Sequence, residues 1–151
     1  DWETIAGLVY DPILDELFWA EQNAGAYLGN NRLRVSARKE DVLISTTSPR
    51  KSRKEYEKSR DAFLRVAESG AVLRCSGSAA LDLAYVAAGR LDGAWYPRLN
   101  IWDMAAGALW VKEALGMATA LDGSSVATDE TGSILASNGL IHKKLSELLT
   151  A

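Results

Sequence analysis

Asp103 stands near the head of Trp102-Asp103-Met104-Ala105-Ala106-Gly107, where a strand-like run gives way to a helical one. A carboxylate at such a junction lies where free backbone N–H groups point outward and the helix dipole is positive. Together with a phosphate held by those N–H groups, it can bind a hard cation. Ala105, Ala106 and Gly107 leave room for close approach. The same residue type is also a common helix N-cap, and the residues by themselves leave both readings open. Ser76-Gly77-Ser78-Ala79-Ala80 is the second candidate. A small, glycine-containing turn ahead of a helix gathers N–H donors into an anion site, although ordinary helices begin in the same way.

Other chemistry is narrowed by counts. One histidine, His142, nearly excludes a catalytic triad or a His-rich metal centre, and one cysteine, Cys75, excludes an internal disulfide. Any metal site must then rest on carboxylates, which select hard cations such as magnesium. His142 reads as a surface residue at the start of a closing helix, and Cys75 as a core residue of a buried strand. Arg50, Lys51, Arg53 and Lys54 form a basic cluster, either a solvated loop or a means of steering an anionic substrate. Over the whole chain the balance is acidic, with a net charge of −3 and a pI near 5.2, which argues against a dedicated nucleic-acid binder. At 48% hydrophobic and 25% charged residues, the chain is apolar enough to build a core rather than remain disordered. No apolar run reaches the roughly 18 residues of a membrane span, no signal peptide is visible, and a reducing cytoplasm fits the cysteine usage.

The elements that must position these residues fall into two groups. Residues 4–35 read as antiparallel: strands over Thr4–Tyr10, Glu16–Glu21 and Gly25–Leu28, a tight turn at Gly29-Asn30-Asn31, and a return over Arg32–Val35. Asp11-Pro12-Ile13-Leu14-Asp15 is the hairpin turn between the first two. Later, strands at Val42–Thr47, Ala71–Cys75, Leu91–Tyr96, Met117–Leu121 and Ile134–Ser137 alternate with helices. Ser52 with Glu55 has capping-box spacing for the first helix. Ala79–Ala88 is a second helix, closed by Gly89 at C′. Asp103 opens a third, which Gly116 ends, and the last runs from about Leu140 to Leu149. Alternation of this kind predicts an α/β layered fold, with antiparallel hairpins first, a mixed sheet afterwards, and helices between and outside the two sheets.

Gly77-Ser78-Ala79-Ala80-Leu81-Asp82-Leu83-Ala84-Tyr85-Val86-Ala87-Ala88-Gly89-Arg90-Leu91-Asp92-Gly93, followed by Trp102–Gly107 and Glu113-Ala114, resembles the second signature region of the inositol monophosphatase family. Ala6–Pro12, Gly25–Leu28 and Arg32–Ser36 are similar to its middle segment, and Ile134–Asn138 to its final strand. The resemblance implies an αβαβα sandwich that hydrolyses phosphate monoesters with two or three magnesium ions, which activate a water and stabilise the leaving alkoxide. It further implies lithium sensitivity, a homodimer, and a small phosphorylated metabolite as partner rather than a membrane or nucleic acid. On this resemblance Asp103 is a metal ligand, Gly77, Ser78 and Ala79 meet substrate through backbone N–H groups, and Tyr96 touches the leaving group. The expected division is one partial domain over 1–151, with 1–40 closing the first sheet and 41–151 forming a C-terminal α/β subdomain.

Departures from the family pattern are expected to matter. The metal-binding half that precedes this region in the family, with its Asp-Pro-x-Asp-Gly-Thr motif, is not in the sequence, and Asp11–Asp15 has the wrong spacing to replace it. This chain alone is therefore expected to be inactive. Tyr96 replaces a family Glu, and Tyr96-Pro97-Arg98 is reminiscent of relatives that cleave nucleoside 3′,5′-bisphosphates. A non-catalytic, regulatory homologue that keeps the fold is the remaining alternative. Leu115 replaces a family Gly, with Gly116 expected to supply the helix C′ residue.

Overall fold

The computed structural model describes residues 3–50, 55–127 and 131–151. Four antiparallel strands come first: β1 (Ala6–Asp11), β2 (Glu16–Glu21), β3 (Gly25–Leu28) and the short β4 (Asn31–Arg32), paired in that order. Side chains alternate across this sheet, as a two-residue period requires. Phe18, Ala20 and Ala26 are buried, whereas Leu8 and Leu17 on the opposite face are exposed. The β1–β2 turn is fastened by Asp11, whose Oδ1 accepts from the N–H groups of Ile13 (2.9 Å) and Leu14 (3.3 Å).

The second sheet has strand order β6-β5-β7-β9-β8, from β5 (Leu43–Thr46), β6 (Val72–Arg74), β7 (Gly93–Asn100), β8 (Met117–Thr119) and β9 (Thr131–Ser137). β5 runs parallel to both β6 and β7, while β9 is antiparallel to β7 and β8. Helices α2 (Ala79–Ala87) and α3 (Ile101–Glu113) pack against both sheets. Helices α1 (Tyr56–Glu68) and α4 (His142–Thr150) pack together on the far side of the second sheet, around Ile44, Val66, Trp95, Leu135 and Leu145. The described layers thus run β, α, β, α, which is the αβαβα order from its first sheet onward.

The small residues of α2 and α3 set how closely these layers approach. A Cβ on Gly107 would lie 2.6 Å from Leu83 Cβ, and one on Gly7 would lie 2.7 Å from Ala106 Cβ. The room left by Ala106 and Gly107 is therefore filled by protein. Phe18, Leu83 and Met104 are fully buried in the core between the sheets, each contributing about 1.5–3 kcal/mol. α3 also holds the first sheet by hydrogen bonds. Trp110 Nε1 donates to Gly7 O at 3.0 Å, and the Glu113 carboxylate accepts from the N–H groups of Asn23 (2.7 Å) and Gly25 (2.8 Å).

Several boundaries differ from expectation. α3 begins at Ile101 behind an Asn100 N-cap, so Asp103 occupies the third helical position rather than the cap. Its C′ residue is Leu115 at φ 67°, not Gly116. Gly116 has a different task, since a Cβ there would lie 2.6 Å from Ser137 O. Glu55 is itself the N-cap residue of α1, not the third helical residue of a capping box; Ser52, with Lys51, Arg53 and Lys54 of the basic cluster, lies outside the described residues. β7 extends four residues beyond Tyr96, with an irregular register between Tyr96 and Leu99. A bulge is where a sheet tolerates Pro97, which has no N–H to give the ladder.

Candidate functional site

A cleft of about 560 Å³ opens at the carboxyl ends of the parallel strands, where open α/β sheets place their ligands. β5 contributes Thr46 and the following Thr47 and Ser48, and the chain leaving β6 contributes Cys75. α2 contributes Ser78, Ala79 and Ala80 from its start, β7 contributes Tyr96, Arg98 and Leu99, and the first turn of α3 contributes Asp103. Gly77, Ser78, Ala79, Tyr96 and Asp103, singled out in the sequence from separate stretches, thus line one cavity. Arg50 and Arg98 bring positive charge to it, as do the amino ends of two helices.

Gly77 adopts φ 91°, a left-handed conformation open to glycine at little cost. Ser78 N-caps α2, its Oγ accepting from Leu81 N–H at 3.4 Å. The Ser78 N–H itself is taken by Ser76 Oγ at 3.1 Å, so it is not free for a ligand. The first helical N–H groups, of Ala79 and Ala80, have no partner within their own helix.

Beneath the turn lies a group that motif reading passed over. Asp82 is 2% exposed, and its Oδ2 accepts from Ser45 Oγ (2.6 Å), Ser76 Oγ (2.8 Å) and Tyr96 Oη. These bonds tie β5, the loop after β6, α2 and β7 together under the cleft. Burial first, and then the hydrogen bond and charge of Asp82, hold the Tyr96 phenol far above its ordinary pKa. The sequence signal was an acid four residues after Ser78 inside an otherwise apolar helix. Asp92, fully buried, is a second such centre away from the cleft. It accepts from Ser36 Oγ, Arg38 Nε (2.8 Å) and Leu43 N–H (2.7 Å), and secures the crossover into β5.

Two side chains are placed against expectation. Cys75 is exposed and lines the cleft just past the end of β6, not in the core. Partial burial and the Asp82 charge raise its thiol pKa, keeping it neutral and a poor nucleophile. His142 is 5% exposed rather than on the surface. Its Nδ1 lies 2.9 Å from Ser137 Oγ and its Nε2 3.0 Å from Thr119 Oγ1, and burial lowers its pKa.

Asp103 is the one carboxylate lining the cleft among the described residues, and those residues contain no cluster of three or more His, Cys, Asp or Glu able to hold a metal ion. Oxygen donors suit magnesium, but one carboxylate beside two arginines does not by itself make a two- or three-ion site. Among the described residues, no helix is long and apolar enough to cross a membrane.

The model of the inositol monophosphatase family matches residues 1–151. The chain is 44% identical over 149 residues to inositol-1-monophosphatase of Rhizobium meliloti (strain 1021), covering 97% of this chain and 56% of that one. It is 42% identical over 142 residues to Nus factor SuhB of Pseudomonas aeruginosa, covering 91% and 52%. The crystal structure of extragenic suppressor protein suhB from Bartonella henselae superposes with a TM-score of 0.91 at 43% identity, covering 98% of this chain and 57% of that one. The chain spans little more than half the length of these relatives. With a family match over its whole length and a shared fold, the chain belongs to the inositol monophosphatase family.

Proposed function

We propose that the cleft binds a phosphate monoester and that the complete protein hydrolyses it with magnesium, with an inositol or related sugar phosphate as substrate. The observation that carries this reading is the convergence of Gly77, Ser78, Ala79, Tyr96 and Asp103 on one cavity flanked by Arg50 and Arg98. In this reading the arginines attract the anion. The free N–H groups at the start of α2 receive ester oxygens, and Tyr96 lies against the leaving group. Asp103 supplies one hard oxygen ligand; the others are not among the described residues, so hydrolysis belongs to the complete protein and not to this chain alone. A cytoplasmic homodimer that is inhibited by lithium completes the proposal.

Phosphate release from inositol 1-phosphate, a sugar phosphate and adenosine 3′,5′-bisphosphate, by the protein in its natural full length with and without magnesium, tests it. Magnesium-dependent release is expected, with inositol or sugar phosphate preferred. Preference for the bisphosphate would instead fit Tyr96-Pro97-Arg98 as the mark of a nucleotide substrate. Asp103→Asn should lower kcat/KM at least about a hundredfold, more than is usual for groups one shell further from a metal. Turnover within twofold of wild type would remove Asp103 from the site. A second reading, a regulatory homologue without catalysis, is favoured by the relatives named Nus factor SuhB. It predicts no release from any of the three esters.

A further inference from the structure

Asp82 is buried, titratable and unused by the reading above. A carboxylate oxygen has lone pairs only, and a hydroxyl has one proton. Ser76 Oγ, 2.8 Å from Asp82 Oδ2, therefore commits its proton to Asp82. Its own lone pairs then face the Ser78 N–H, which donates to it at 3.1 Å. This short series, Asp82 to Ser76 to Ser78, spans Gly77 at φ 91°. A Cβ built at Gly77 would meet nothing within 4 Å, so at that residue hydrogen bonding and not packing fixes the turn. Next along the chain, the Ala79 and Ala80 amides precede the first intrahelical bond, which runs from Asp82 N–H to Ser78 O at 3.0 Å. Both residues line the cleft. The Leu81 N–H is already taken by Ser78 Oγ.

We propose that Asp82 is a positioning residue for this turn: acting through Ser76, it keeps the Ser78 amide engaged and presets the Ala79 and Ala80 amides to receive the phosphate. This rests on the phosphate-ester reading and deepens it. Ser78 leaves the set of amides expected to meet the substrate, and Ala80 joins it. The same Oδ2 also accepts from Ser45 on β5 and Tyr96 on β7. The turn is thereby referred to the strands that carry the rest of the cleft, and donors fixed before the anion arrives spare the cost of ordering them on binding.

The test uses the natural full-length protein with magnesium, inositol 1-phosphate as ester and inorganic phosphate as inhibitor. Ser76→Ala should weaken phosphate inhibition about three- to tenfold, the worth of one neutral hydrogen bond. It should raise KM with kcat held within twofold, because the amides grip ground state and transition state alike. Ser76→Thr keeps the hydroxyl and should restore both. Asp82→Ala should weaken inhibition at least as much, and adding Ser76→Ala to it should cost less than twofold more, since the two act in series. Independently of turnover, amide exchange followed by NMR should find the Ser78 N–H slow in wild type with or without phosphate. The Ala79 and Ala80 amides should slow only when phosphate is added, and Ser78 should become fast in Ser76→Ala. If Asp82→Ala does not fold, Ser76→Ala and the amide exchange decide. Inhibition unchanged within twofold in Ser76→Ala overturns this inference and leaves the phosphatase reading standing, as do additive losses in the double variant or a fast wild-type Ser78 amide. No release by wild type overturns the phosphatase reading, and amide exchange with phosphate then decides the inference by itself.

Discussion

His142 sits with both ring nitrogens against hydroxyls, Ser137 on one side and Thr119 on the other, and with no carboxylate among its hydrogen-bond partners. Burial therefore acts on its pKa unopposed and lowers it. The folded state then binds its proton at lower pH than the unfolded state, whose histidine titrates near 6.5. The contribution to stability is complete above that pH and is lost as pH falls from about 6.5 toward the folded-state value, at up to about 1.4 kcal/mol per pH unit. His142→Gln can keep one donor and one acceptor but cannot titrate in this range. The stability difference between wild type and His142→Gln, from urea unfolding, should shift against wild type between pH 7.5 and pH 5.5. A difference that does not move with pH would show that the ring is not held neutral. A lone histidine near a helix start gives no hint of this in the sequence. What buries it is the antiparallel pairing of Thr119 on β8 with Leu135 on β9, two residues from Ser137, and that pairing is a tertiary fact.

At the scale of elements, α3 does most to join the layers, and its ending is imperfect. Leu115 holds the left-handed C′ position at φ 67° with its side chain 69% exposed. A left-handed non-glycine residue costs about 1–2 kcal/mol. Glycine recovers that but loses about 0.5–1 kcal/mol of backbone entropy, and little burial is at stake. Leu115→Gly should therefore stabilise the chain by roughly 0.5–1 kcal/mol, or about 1–4 °C in Tm for a chain of this size; an unchanged or lower Tm would count against strain at this turn. Much of the element plan was legible. The hairpins announced themselves by β-formers around turn residues, and Gly89 at φ 70° follows α2 as expected. The misreadings have one cause. Asp103 reads as the residue that opens the third helix, yet the helix begins two residues earlier, behind an extended Asn100 N-cap. Cys75 reads as strand, but β6 stops at Arg74. The site was legible as motifs, whereas its support was not: Ser45 and Asp82 are 37 residues apart and meet only because β5 lies beside the start of α2.

On the whole-molecule scale, one layer has a face that nothing in the described residues covers. The inner face of the first sheet rests on α3, whereas its outer face carries Leu8 opposite Trp19, Tyr10 opposite Leu17, and Trp19 opposite Tyr27. Trp19 and Tyr27 stack at 4.6 Å between ring centroids. Leu8 is 68% exposed, and Ile13 and Leu14 in the adjoining turn are exposed as well. A shallow groove of about 550 Å³ lined by Ala6, Gly7, Leu8, Leu17, Trp19 and Glu21 runs along this face. A contiguous apolar surface of this kind is an association site or an aggregation liability, and the edge of β1 beside it, which no strand among the described residues pairs, adds free backbone groups. The 151-residue chain studied alone should accordingly bind the dye ANS while its circular dichroism is that of a folded protein. Its sedimentation should be concentration-dependent. Leu8→Glu combined with Leu17→Glu should abolish both behaviours and leave unfolding stability within about 0.5 kcal/mol, because neither side chain is in the core. If the unaltered chain sediments as an ideal monomer without ANS binding, the face is polar enough to stand in water and needs no cover. If the double variant unfolds instead, Leu8 and Leu17 bear on the sheet's own stability and not on association.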